Sequence, residues 1–129
     1  LGLDNGVCLR ARGVEFPEFL EMPHFFDMTP GDYEITYWRK MYGLRRDIKA
    51  DLHIGPDEYE YLLDAEEIDH IIKILWNYTD EEYWRENGDT FWEYREVIGN
   101  LVQSIMNLKW LAWYKRNHPE VEVYFYDSY

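Results

Sequence analysis

The sequence predicts an α+β fold: a small antiparallel sheet formed by the N- and C-terminal strands, packed against three main helices, one of them long, about residues 90–117. Three observations point there. Segments 6–12 and 120–126, at opposite ends of the chain, alternate apolar and polar residues with a period of two. Between them, apolar residues recur at spacings of three and four. No tract reads as a linker, a repeat or low complexity, so residues 1–129 are expected to form a single domain, long enough to bury its own core.

In the first strand, Val7, Leu9 and Ala11 share one face and Cys8, Arg10 and Arg12 the other, after an Asn5-Gly6 turn signal. In the last, Val121, Val123 and Phe125 oppose Glu120, Glu122, Tyr124 and Tyr126. Pairing of the two ends sets Arg10 and Arg12 against Glu120 and Glu122, and opposite charges on cross-strand neighbours contribute about 0.2–1 kcal/mol each. Residues 14–31 hold Pro17, Pro23 and Pro30 and are expected to be an ordered loop. A first helix is expected from about Asp32, carrying Tyr37, Met41, Leu44, Ile48 and Leu52 inward and stopped by Gly55 and Pro56. Tyr59–Leu63 reads as a third short strand. Asp64 with Glu67 forms a capping-box signature for a second helix, with Ile68, Ile71, Ile72 and Leu75 buried and an end near Tyr78. Thr79 with Glu82 repeats the signature for a short helix closed by Gly88. Asp89 is expected to cap the long helix, whose stripe Phe91, Tyr94, Ile98, Leu101, Ile105, Leu108 and Ala112 runs to Pro119. Val102, Met106 and Trp113 widen that stripe, which favours packing inside the chain over a dimer seam.

The 26 acidic and 13 basic residues give a net charge of −13, beyond the magnitude of roughly 2–8 of a typical small domain. Aromatic residues make up 19% of the chain, which argues for a folded core rather than an acidic disordered segment. No run reaches the ~18 apolar residues of a membrane span, and the first residues lack a signal peptide's basic and apolar regions. The single cysteine, Cys8, cannot form an internal disulfide. A soluble protein of the bacterial cytoplasm, without membrane contact, is the expectation.

The charge is concentrated. Residues 57–96 hold 14 acids and three bases and so carry −11 of the net −13. Asp64, Glu66, Glu67, Asp80, Glu81 and Glu82 suit helix N-termini, but capping does not account for Glu58, Glu60, Glu86 and Glu96. A dense carboxylate face attracts basic partners and can imitate the phosphates a nucleic-acid-binding protein expects. Glu58, Glu60, Glu66, Glu81, Glu82, Glu86, Glu93 and Glu96 are the candidate partner-binding residues; direct nucleic-acid binding through them is not expected.

A second candidate is the basic aromatic run around Trp38, Arg39, Arg45 and Arg46, whose rings and guanidinium groups could hold a nucleotide or other anionic ligand as a binder or sponge. The alternative is that Trp38 and Tyr42 pack in the core and the bases pair within the chain. Glu67 and His70 stand at i and i+3, half of a metal-dependent site, with an exposed His70 as the plainer reading. Glu21 and His24 share that spacing across Pro23. Cys8 as a nucleophile would need His24, His53 or His118 as its base, and a half-buried structural thiol is the simpler reading. No phosphate-binding glycine loop, nucleophile elbow or dinucleotide fingerprint occurs. No catalytic residue, metal or cofactor is therefore expected.

The opening Gly2-Leu3-Asp4-Asn5-Gly6, the run Tyr33-Glu34-Ile35 to Tyr37-Trp38-Arg39-Lys40, and the close Glu122–Tyr129 resemble small proteins encoded by bacteriophages and prophages. The similarity spans most of the chain; Leu1, where such a protein would start with Met, departs from it and reads as an alternative start or a trimmed end. The resemblance implies a phage-type origin and carries no activity, cofactor or catalytic residue. Small acidic phage proteins without catalytic motifs often inhibit restriction enzymes or CRISPR effectors. The expectation is a non-enzymatic protein of this anti-CRISPR or anti-restriction class, with DNA mimicry as one form its action could take. Its partner is then a host protein with a basic nucleic-acid-binding surface, and the protein itself is a monomer or homodimer.

Overall fold

The computed structural model describes residues 3–23, 31–88 and 91–128. Within them lie four strands, β1 (Asp4–Arg10), β2 (Asp32–Arg39), β3 (Glu60–Leu62) and β4 (Glu122–Ser128). Four helices accompany them, α1 (Tyr42–Asp51), α2 (Ala65–Tyr78), α3 (Glu81–Asn87) and α4 (Tyr94–Asn117). The strands form one antiparallel sheet in the order β2-β1-β4-β3. The terminal strands meet in its centre, Asp4 opposite Ser128 and Arg10 opposite Glu122, and the expected Arg10–Glu122 pair closes at 3.1 Å.

Asn5-Gly6 is no turn. Both residues lie inside β1, and Gly6 serves by having no side chain: a Cβ there would stand 2.4 Å from the Thr36 carbonyl and 2.7 Å from the Tyr126 ring. The expected helix from Asp32 is the larger correction. Residues 32–39 are the edge strand β2, and the helix begins only at Tyr42. β2 carries a bulge: Val7 pairs with Thr36 and Cys8 with Glu34, so Ile35 is the extra residue. The bulge moves the inward positions from Tyr33 and Ile35 to Trp38, and leaves Asp32, Glu34 and Tyr37 toward the other face.

α1 stops at Asp51, before Gly55. The Ile54 N–H bonds the Lys49 carbonyl and the His53 N–H bonds that of Ala50, with His53 in the left-handed region at φ 55°. This is a Schellman closure with histidine where glycine is usual. α2 opens as the sequence predicts: Asp64 accepts from the Glu67 N–H and Glu67 from the Asp64 N–H. α3 is capped by Asp80, one residue later than expected, while Thr79 bonds back to the Trp76 carbonyl and closes α2. α4 starts at Tyr94, Glu96 accepting from the Glu93 N–H at 2.8 Å; the expected cap Asp89 lies outside the described residues. Its 24 residues give a length of roughly 36 Å.

The helices cover one face of the sheet. Val7, Leu9, Ile35, Trp38, Val123 and Phe125 meet Leu44 and Ile48 of α1, Ile68, Ile71 and Leu75 of α2, and Val97, Leu101, Ile105 and Leu108 of α4 in one core. α4 also lies along the edge of β2 and supplies the hydrogen bonds a neighbouring strand would have made. Asn107 donates to the Ile35 carbonyl and Asn100 to that of Tyr37, at 3.0 and 3.1 Å, and Trp92, two residues before the helix, donates to that of Arg39. The edge is thereby closed to another strand. No helix among the described residues is long and apolar enough to cross a membrane.

Candidate functional site

α3 is held to the body by few contacts. Trp84, its one buried side chain, meets Tyr78 edge-on at 6.0 Å, and Tyr83 meets the same ring at 5.1 Å. Its C-terminal end sits against α1, the Gly43 N–H bonding the Gly88 carbonyl at 3.0 Å, so close that a Cβ on Gly43 would lie 2.1 Å from the Asn87 carbonyl oxygen. With those contacts made, Glu81, Glu82, Arg85 and Glu86 all face solvent. Arg85 pairs with Glu81 at 3.4 Å and Arg95 with Glu93 at 2.9 Å, exposed pairs of small energetic weight. Glu82 and Glu86 make no ion pair among the described residues.

A groove lies on each side of α3. One, of about 350 Å³, is lined by Trp76, Asn77, Asp80, Glu82, Tyr83 and Glu86. The other, of about 610 Å³, is lined by Glu81, Trp84, Arg85, Trp92, Glu93, Tyr94 and Arg95. The first combines carboxylates with an indole ring, an arrangement suited to a cation that carries apolar surface, whereas in the second Arg85 and Arg95 pair with the two carboxylates.

The eight candidate carboxylates do not form one patch. Glu58 caps the turn at the Gly55 N–H, Glu60 pairs with Arg10, and Glu66 is in the first turn of α2. Glu81, Glu82, Glu86, Glu93 and Glu96 stand beyond the other end of that 14-residue helix, which is roughly 21 Å long. The second candidate set is dispersed. Trp38 and Arg39 belong to β2, not to a helix; Trp38 is buried, its Nε1 donating to Ser104 at 3.1 Å, and Arg39 lies 4.0 Å from Asp4. Arg45 grips Asp127 with two bonds of 2.8 and 2.9 Å, and Arg46 bridges Asp47 and the Asn87 carbonyl. Tyr42, expected in the core with Trp38, is exposed.

Glu67 spends its carboxylate on the Asp64 cap and His70 is exposed, and no group of three or more His, Cys, Asp or Glu among the described residues is set to hold a metal. His24 lies outside those residues, and His118 stacks on Tyr114 at 4.2 Å. Cys8 is wholly buried, and burial together with the Glu34 charge pushes its thiol far above the ordinary range, the opposite of an activated nucleophile.

The sheet's other face holds a set of residues that the reading of the sequence did not single out. There three tyrosine hydroxyls donate to three carboxylates, each at 2.6 Å: Tyr37 to Asp4, Tyr124 to Asp32 and Tyr126 to Glu34. Tyr126 reaches Glu34 from β4 by lying over Gly6 of the strand between. Arg10 crosses Tyr124 at 4.7 Å and binds Asp32, Glu60 and Glu122. Glu34 Oε2 is buried without a hydrogen-bond partner among the described residues. Burial, reinforced by Asp4 and opposed by the Tyr126 bond, raises its carboxyl from the usual 4.5 to about 7. On the helix-covered side, Asp127 is buried among Arg45, Lys49 and Asn5. Burial alone would raise it, but these hydrogen bonds outweigh that and lower it.

No protein-family model, curated protein or solved structure matches the chain.

Proposed function

We propose that the protein is a non-enzymatic, phage-type inhibitor that works in the cytoplasm of a bacterial host. It binds a host defence protein, of the restriction or CRISPR kind, and occupies the basic surface with which that protein holds nucleic acid. The observation that carries this reading is the set of exposed carboxylates on α3 and at the start of α4. Among the described residues Glu82 and Glu86 make no ion pair, Glu81 and Glu93 each pair with an exposed arginine, and indole rings flank them. Such a surface exchanges loosely held counterions for a partner's lysines and arginines and speeds their encounter. Glu58, Glu60 and Glu66 form a second negative group about one α2 length away, which suits a partner groove that follows a phosphate backbone.

The test is displacement. Added to a basic restriction or CRISPR effector on labelled DNA, the protein is expected to release the DNA, less effectively as salt rises. The quadruple charge reversal Glu81→Lys, Glu82→Lys, Glu86→Lys and Glu93→Lys is expected to abolish release while the circular-dichroism spectrum stays that of the folded protein, with a lower melting temperature because Glu81 and Glu82 lie in the first turn of α3 and Glu93 at the N-cap of α4. Undiminished release by that variant would remove the basis of the proposal.

A further inference from the structure

α4 buries Val97, Leu101, Ile105, Leu108, Leu111 and Ala112 against the core. Its opposite side carries Val102, Met106, Lys109 and Trp113, at steps of four, three and four residues, which align them along one exposed line. Sequence reasoning assigned Val102, Met106 and Trp113 to packing within the chain, yet they are 43, 39 and 56% exposed. α2 runs antiparallel beside this line, as the Asp69–Arg116 pair at one end and the Tyr94 bond to the Thr79 carbonyl at the other show. Between those ends the Lys109 ammonium lies 5.5 Å from the ring centre of Trp76, itself 51% exposed. Trp76 also walls the groove that holds Asp80, Glu82 and Glu86. An apolar line on α4, an indole at the junction and a carboxylate groove beyond it thus form one continuous surface.

We infer that this surface is the docking site for a basic amphipathic helix of the partner. The apolar side chains of that helix lie on Val102, Met106, Trp113 and Trp76, and a lysine or arginine at one end enters the groove beside Glu82 and Glu86. From Val102 to Trp113 the line extends about 16 Å, three helical turns, the reach of apolar anchors at i, i+4, i+7 and i+11. Exposed tryptophans within a polar rim are the usual anchors of such contacts. Charge complementarity selects the occupant: the groove offers three carboxylates, and the Trp76 ring already accepts one ammonium. A second copy would instead bring another chain of net charge −13, with its own Glu82 and Glu86, to the same place.

This inference rests on the reading of the α3 carboxylates as a partner surface and adds the apolar half. Two synthetic probes separate the halves, an amphipathic leucine–lysine helical peptide and an oligolysine of equal charge, each titrated calorimetrically into the full chain. The amphipathic peptide is expected to bind more tightly, with a shift in tryptophan emission. The double substitution Met106→Ala and Trp113→Ala, neither of which lines the carboxylate groove, is expected to weaken it at least about tenfold while leaving oligolysine binding unchanged. Equal binding of the amphipathic peptide to parent and double variant would overturn the inference and leave the acidic-surface reading standing, provided reversal of Glu82 and Glu86 still abolishes oligolysine binding. Binding of neither peptide would overturn both. Light scattering that shows a dimer, lost on Trp113→Ala, would assign the face to a second copy and overturn the inference alone.

Discussion

At neutral pH the Glu34 carboxyl is poised between its two protonation states, while the unfolded chain has released that proton by about pH 5. A native value above the unfolded one means that the folded protein binds more protons between about pH 4.5 and 7, so the contribution of Glu34 to stability is full below that window and is lost as pH rises through it. The loss is on the order of 3 kcal/mol at most. The groups facing Glu34 are Tyr126 of β4 and Asp4 of β1, with Cys8 beside them. Urea midpoints are expected to fall from pH 5 to pH 8 in the parent and to stay level in Glu34→Gln, which is expected to be the more stable of the two at pH 8. Asp127 acts in the opposite sense: its lowered value stabilises the fold above the ordinary carboxylate range, and that stability is lost as pH falls below it. Asp127→Ala removes the buried carboxylate that Arg45, Lys49 and Asn5 share, which is expected to cost about 3–5 kcal/mol in denaturant unfolding at pH 7.

Two positions on α1 test how its ends are held. His53 occupies the left-handed region at φ 55°, so His53→Gly is expected to stabilise the protein by about 0.5–1 kcal/mol, read as a higher melting temperature. Gly43→Ala pushes a methyl into the Asn87 and Gly88 carbonyls and is expected to cost about 1–3 kcal/mol, with faster amide exchange in α3, whose C-terminal end rests there. The elements that were legible in the sequence have local signatures: alternation at 6–12 and 120–126, and the reciprocal cap of Asp64 and Glu67. β2 was not legible, because the bulge at Ile35 breaks the period of two, and the spacing from Tyr37 through Met41 and Leu44 to Ile48 runs unbroken into a true helix. The tyrosine–carboxylate face was hidden with it. Asp32 and Glu34 stood in a segment read as helical, and their partners Tyr124 and Tyr126 come from 92 residues away. Tyr124 and Tyr126 on the polar side of an alternating strand, with Gly6 in the strand paired to it, were the available signal.

Over the whole molecule the charge acts twice, with opposite dependence on salt. A net charge of −13 repels itself, so moderate salt is expected to raise the melting temperature of the isolated protein. The same screening weakens attraction to a basic partner, so stability and binding are expected to move in opposite directions across one salt series. Of the carboxylates behind this, the sequence showed the number but not the placement: Glu60 is held by Arg10 and Glu96 by the α4 cap, while Glu82 and Glu86 make no ion pair among the described residues. The order of the sheet has a further result for how the protein is made. β4 supplies the second neighbour of β1, the one neighbour of β3 among the described residues, and the rings that cover Glu34 and Asp32. A nascent chain halted before Val121 therefore has β1 paired on one side only, and its exposed edge competes for any strand nearby. Such a truncated chain is expected to be captured by chaperones or aggregate where the chain through Ser128 folds.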